Sequence, residues 1–366
     1  LLLQFGTRIF TLYKSLLREK KVLVYSNSNL EGLTNFQNSL ISLIPGLMSN
    51  LELLGCPLLD YTEQYGPLQR PNLLDTKSKK LLLRFFGLPL QILNTKGSFY
   101  NPYLPLQQLS ELLLDTTKSC LAGCLNKLFV DQATSLKIDV LVDLDQKTVT
   151  YPRGKPEDLT LSTLDKRFIN NLVTDVKNSD GSYLGSDDHI RYSFEDYLFG
   201  LVLTYRFNQY TVKFKIPPPG FNTGMPPPIS NDDVETDLVH NGNLALFGRR
   251  FIESWSQPAN YKIWNATADE FVFNFLDPKH VAANLESLIE LFFLAIRNFG
   301  NQGLPHGTLA LPTKPKDLEQ AKNLEQQIGP QAQQEVHVVY NPDNTEVKLQ
   351  EHTPLTRLSA WWNKKK

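Results

Sequence analysis

The sequence lacks any apolar run long enough to span a bilayer, about 18 residues, and it lacks a glycine-rich phosphate loop of either common type. No two of its histidines stand at metal-ligand spacing, and it has only three cysteines in 366 residues. Each absence removes a function class. Nothing in the chain is predicted to cross a membrane as a helix, and the chain is not expected to hold a nucleotide itself. His189, His240, His280, His306, His337 and His352 are scattered, so no metal site, metallohydrolase or other cofactor is expected. Cys56, Cys120 and Cys124 form an odd set without a disulfide framework, which suggests a reducing compartment and buried free thiols. Cys120 and Cys124 stand at CxxxC spacing with no second ligand pair. The start, Leu1-Leu2-Leu3-Gln4, has neither a methionine nor a cationic leader, so the chain is expected to begin inside a larger protein.

Charge is also scarce in any one sign. The net charge is −1, with 11 Lys+Arg against 6 Asp+Glu in residues 1–100 and 26 against 32 thereafter. That asymmetry could orient a partner or an acidic membrane, but it is far short of the basic footprint that nucleic acid requires. A composition 41% hydrophobic and 20% charged is that of an ordinary globular protein, and the length suffices for two cores.

What is present is organised around Thr7–Tyr25. Ile9, Leu12, Tyr13, Leu16 and Leu17 recur at the spacing of a helix face, and Val22-Leu23-Val24-Tyr25 reads as a strand buried on both faces. A second amphipathic helix through Leu33, Phe36, Leu40 and Ile41 stops at Pro45-Gly46. Residues 51–80 read as a long loop; Leu81–Phe86 and Leu88–Leu93 read as strands, and Gln107–Leu114 as a short helix. Ser119–Val130 runs from small to bulky residues, and Ile138–Leu144 turns at Asp145-Gln146 into Lys147–Tyr151, an edge hairpin. From Leu159 the pattern is helical. Ser162 and Asp165 fit a capping box, and Asp187 and Asp188 open a helix striped by Phe194, Tyr197, Leu198, Leu201 and Tyr205. Asn208–Gly242, with two triple prolines, reads as an insertion of polyproline character. A third helix resumes at Leu244 and runs to Trp255 before Pro258. Tyr261–Asn265 then reads as a connection to a last long helix opening at Asp277-Pro278 and carrying Leu285 to Ile296. Beyond Gly300 the chain is a polar tail with little apolar area to offset chain entropy. The expectation is α/β followed by all-α.

Two constellations carry the residue types of catalysis. Ser186, Asp187, Asp188 and His189 are neighbours at a helix start, where they point in different directions and cap rather than relay protons. Asp143 and Asp145 share a strand face but sit at a hairpin turn. Neither is expected to catalyse.

The order of several segments resembles a known family. Leu16-Leu17-Arg18-Glu19-Lys20-Lys21-Val22-Leu23-Val24-Tyr25, Ile44-Pro45-Gly46, Phe86-Gly87-Leu88-Pro89-Leu90 and Leu121-Ala122-Gly123-Cys124-Leu125-Asn126 resemble the central part of a DENN domain. Asp165-Lys166-Arg167-Phe168, Phe247–Trp255 and Tyr261-Lys262-Ile263-Trp264-Asn265 are similar to the downstream helical part of its AVL-nine branch, proteins of the late secretory pathway. The resemblance implies a central DENN α/β domain over 1–155 and a downstream DENN helical domain over 156–300, interrupted by the insertion 208–242. The tail 301–366 is expected to be largely disordered, and the upstream longin-like domain of the family is missing. It further implies a Rab-type small GTPase as partner, guanine-nucleotide exchange without chemical catalysis, and a cytoplasmic place on Golgi or late secretory membranes. A non-catalytic scaffold on the same fold is the alternative. Ala122, Gly123 and Asn126 are the residues it offers for partner binding. Trp361 and Trp362 beside Lys364, Lys365 and Lys366 offer a membrane contact, indoles at the headgroup boundary and ammoniums near an anionic surface.

Overall fold

A computed structural model describes residues 1–49, 78–181, 183–214, 218 and 242–283, all of which lie in one compact unit, Leu1–Ser287. Residues 51–77 of the predicted loop 51–80, most of the proline-rich insertion, the helix from Leu285, the tail with Trp361–Lys366, and Cys56 lie outside the described residues.

The short helix α1 (Leu2–Phe5) leads into α2 (Arg8–Leu17), nearly all of whose residues are buried, and then into β1 (Lys21–Tyr25), buried throughout. The turn between them places Glu19 at φ 51°, a left-handed conformation uncommon for a side chain with a β-carbon. Helix α3 (Leu30–Ser42) starts where Asn29 Oδ1 accepts the Gly32 amide at 2.7 Å. The sheet described has the order β2-β3-β1-β4-β5, with β2 (Ser98–Asn101), β3 (Ser119–Cys124), β1 and β4 (Val140–Asp143) parallel. The expected hairpin is present: β5 (Thr148–Thr150) pairs antiparallel with β4 at the sheet edge.

The two predicted strands Leu81–Phe86 and Leu88–Leu93 are not strands. Lys79–Phe85 is a helix, α4, because Ser78 Oγ accepts the Leu81 amide and caps it. Residues 88–93 are irregular, packed behind Gly87 at φ 76°. A β-carbon on Gly87 would lie 2.7 Å from the Ala268 β-carbon and 2.8 Å from Trp264 Cδ1, so only glycine fits. Short helices α5 (Leu109–Leu113) and α6 (Lys127–Asp131) complete the mixed layer.

Helix α7 (Thr163–Lys177) begins with the predicted capping box of Ser162 and Asp165. Helix α8 (Asp187–Phe214) runs one and a half turns past Asn208, where the insertion was expected to start; Asn208 and Thr211 are buried and bond back to backbone carbonyls of their own helix. The expected third helix is two, α9 (Gly242–Ala245) and α10 (Arg249–Trp255), broken at Gly248 with φ 95°. Pro258 does not simply end a helix but precedes a new one, α11 (Ala259–Thr267), so Tyr261–Asn265 is helical rather than a connection. Asp277-Pro278 lies in non-helical backbone up to Ala283.

The mixed layer and the helices share a core. Phe10 and Tyr13 of α2 interleave with Phe168 of α7 and with Phe194 and Tyr197 of α8, the Phe10–Tyr197 rings standing edge-on at 4.8 Å. Within it, Lys14 Nζ donates to Asp165 Oδ2 at 2.6 Å and to the Phe247 carbonyl at 2.7 Å, with both side chains wholly buried. Tyr197 Oη also donates to Asp165, and His280 Nε2 lies 3.3 Å from it. Burial pushes the Asp165 carboxyl up, but Lys14 and His280 outweigh it and hold the carboxyl below its ordinary value of 3.8.

Lys14→Met is expected to cost about 3–5 kcal/mol in urea unfolding, because it strands a buried carboxylate, and adding Asp165→Asn should recover part of that loss. A carboxyl with a lowered folded value stabilises fully above 3.8 and loses that contribution as pH falls through the folded value. The unfolding midpoint should therefore drop more steeply in acid for the parent chain than for the double variant.

Candidate partner-binding surface

Four parallel strands end on the same side, and open α/β sheets present their ligands and partners there. At the ends of β2 and β3 the chain forms a rim. After Asn101, Pro102 and Pro105 keep the backbone out of ladder pairing, so that Leu104 turns inward while Tyr103 is 44% and Leu106 41% exposed. The Leu104 amide donates to the Gly123 carbonyl at 2.7 Å, and Gln37 Nε2 donates to the Pro102 carbonyl at 3.0 Å, pinning the rim to β3 and α3. Tyr103, Leu106, Gln107, Leu125, Asn126 and Lys127 surround a shallow depression of about 440 Å³, and Leu128 adds a further exposed apolar side chain to this stretch.

The three residues named from sequence fall at different depths. Ala122 is buried in β3. Gly123 is buried because its neighbours leave no room: a β-carbon there would lie 2.2 Å from the Pro102 carbonyl oxygen and 2.4 Å from Gln37 Nε2. Asn126 is exposed, and its Oδ1 caps α6 by accepting the Leu128 amide at 2.9 Å. Tyr103 and Leu106 were not singled out by sequence, although the prolines flanking Tyr103-Leu104 signalled a segment held outside the ladder.

The other constellations are structural. Asp145 accepts from Ser26 Oγ and from the Asn27 amide, while Asp143 accepts the Gln146 amide, so both shape turns. His189 Nδ1 accepts the Gly185 amide and Ser186 Oγ the His189 amide, which is capping as expected. Cys120 and Cys124 are free and buried, and burial pushes each thiol up to about 12, leaving them protonated and poor nucleophiles. No group of His, Cys, Asp and Glu among the described residues could hold a metal, and no described helix is long and apolar enough to cross a membrane.

A family described as Transport protein Avl9 matches residues 1–205, which contain the whole sheet and its rim. The chain belongs to the Avl9 family. It is 32% identical over 307 residues to the late secretory pathway protein AVL9 of Saccharomyces cerevisiae, a match covering 80% of this chain and 38% of that protein. It is also 32% identical over 278 residues to the late secretory pathway protein avl9 of Schizosaccharomyces pombe, covering 74% of this chain and 55% of that one. The chain thus spans well under two thirds of either relative.

Gly123→Ala is expected to lower stability by about 1–3 kcal/mol, because neither a backbone carbonyl nor the clamped Gln37 can yield freely. Asn126→Ala should cost about 1 kcal/mol through the lost cap. Thermal melts followed by circular dichroism check both.

Proposed function

We propose that this Avl9-family chain is a DENN-type module that acts on a Rab-type small GTPase in late secretory transport, between the Golgi and the plasma membrane. On this reading residues 1–155 correspond to the central DENN domain and 156–300 to the downstream helical domain, and the protein works from the cytoplasmic side as a peripheral component of Golgi or late secretory membranes. The names of its relatives, late secretory pathway proteins, support the secretory part of this reading. The observation that carries the surface reading is the rim: Tyr103, Leu106 and Leu128 expose apolar area beside Asn126 and Lys127 at the sheet's strand ends, and a large exposed aromatic held by a rigid frame is the usual anchor of a protein interface.

The mechanism needs no acid, base or metal. An exchange factor that binds the nucleotide-free GTPase more tightly than the loaded one lowers nucleotide affinity by the same factor, because coupling between two binding events is reciprocal. Exchange is therefore differential affinity expressed through shape. The second reading, a scaffold on the same fold, differs only in binding both states equally.

Labelled GDP release from a panel of Rabs, together with capture of nucleotide-depleted and GTP-loaded Rabs by the 366-residue chain, separates the two. Exchange predicts faster release for at least one Rab and preferential capture of its empty form, reduced about tenfold by Tyr103→Ser with Leu106→Ser. Flat traces with equal capture would favour the scaffold, and no capture of any Rab would count against both. For the tail, Trp361, Trp362 and Lys364–Lys366 form a membrane contact on this proposal. Liposome flotation should weaken when residues 355–366 are removed; equal partitioning removes that part.

A further inference from the structure

The last turn of α8 ends in a cluster of aromatic rings. Tyr210 and Phe214, one turn apart, have ring centres separated by 4.5 Å, and Tyr210 also meets Phe271 at 5.9 Å and Phe273 at 5.6 Å. Phe273, in the single turn Val272–Asn274, is buried and packs on Phe207 of α8 at 5.7 Å, which gives the cluster a floor. Its outer rings are open: Phe214 is 46% and Phe271 43% exposed. Two open phenyl rings joined through Tyr210 form a terrace, whereas exposed apolar side chains scattered singly would need no explanation.

The chain carries an occupant of suitable chemistry on a short tether. Residues 215–241 follow Phe214 directly and lead back to α9, which packs on α8. They open with Lys215-Ile216-Pro217-Pro218-Pro219. Proline fixes its own φ, and a residue before proline is steered to extended backbone, so the triple proline is committed to polyproline geometry before it touches anything. Such a rod loses little entropy on docking, and aromatic-lined grooves are the surfaces that receive it. Pro218, the middle residue of the run, is buried. Four residues of chain reach at most about 14 Å, so Pro218 is buried within that distance of Phe214, where the open terrace begins.

We infer that Pro217–Pro219 docks on the terrace of Tyr210, Phe214 and Phe271, a polyproline ligand bound by its own chain. A short tether presents the run at about millimolar effective concentration, so a contact with a Kd of about 0.1 mM is occupied about ten to one. The dock rests on neither the strand-end rim nor the partner proposed for it.

Two measurements on the full chain test this. Trypsin cleavage after Lys215, followed by mass spectrometry, reads the undocked fraction when docking is fast relative to cutting. Phe271→Ser leaves the cleaved sequence untouched and should speed that cut about tenfold, whereas Tyr103→Ser, which opens no ring of the terrace, should leave it unchanged. A fluorescent peptide of residues 213–221 gives the second arm, which stands even if Phe271→Ser fails to fold. The peptide should bind the variant with Pro217→Ser, Pro218→Ser and Pro219→Ser about tenfold more tightly than it binds the parent chain, and adding Phe214→Ser should abolish that binding. An unchanged cut in a folded Phe271→Ser chain, or a peptide that binds neither chain at millimolar concentration, overturns the inference. Equal binding to both chains also overturns it, because the terrace would then be vacant in the parent and open to a proline-rich segment of another protein.

Discussion

An ammonium and a carboxylate held 2.6 Å apart with neither exposed to water must be enclosed on every side by groups that compensate for lost hydration. Lys14 and Asp165 meet that requirement with contributions from five separated parts of the chain. Lys14 comes from α2, Asp165 from the first turn of α7, the Phe247 carbonyl from the α9–α10 junction, and Tyr197 from α8, with His280 beside it. Asp165 is also the residue that closes the capping box on Ser162, so one side chain both starts a helix and anchors it to the mixed layer. Lys14 lies 4.2 Å from the centre of the Phe251 ring, a cation–π contact strengthened by the same dryness.

A second clamp repeats the pattern at lower burial. Glu19 takes its left-handed conformation in the α2–β1 turn and there accepts the amides of Ala259 and Asn260 at the start of α11, where the helix dipole favours a carboxylate. Arg18, its neighbour, pairs with Asp158 at 2.8 Å and reaches the Ser254 carbonyl. Arg18 and Glu19, the two residues after α2, thus hook it to the segments around Asp158, Ser254 and Ala259. Trp264 adds one more, donating its indole N–H to the Phe86 carbonyl at 3.1 Å.

These contacts explain which features were legible. The helix-to-strand start, the capping box and the edge hairpin are local in period and capping chemistry, so sequence sufficed. Leu81–Phe86 misled because six residues that are apolar apart from Arg84 fit a buried strand or a buried helix, and only the Ser78 cap decides between them. Helix α8 outran its expected end because Asn208 and Thr211 are buried and satisfied by their own helix. Lys14 was readable in principle: it stands one turn after Phe10 and one before Leu17, a cation within an apolar stripe, which calls for a buried partner. At the rim, Asn126 was named only through the family resemblance, and the small residues Ala122 and Gly123 signalled close approach without saying by what. The answer, Pro102 and Gln37, comes from 21 and 86 residues away in sequence.

Rigidity at the rim bears directly on the proposed mode of action. A surface shifts its partner's equilibrium only by the difference in its affinity for two states, and a compliant surface that remoulds itself to both states erases that difference. Here the backbone carrying Tyr103 is held by the Leu104–Gly123 and Gln37–Pro102 hydrogen bonds and by a glycine site with no spare volume. The strand beneath it pairs with β1, which continues from the helix that carries Lys14. A buried ion pair is a poor source of stability when compared with an apolar replacement. Its value in this fold lies in geometry: it allows one arrangement of α2 against α7 and α8, and β1, which follows α2 across a three-residue turn, inherits that arrangement on the way to the rim.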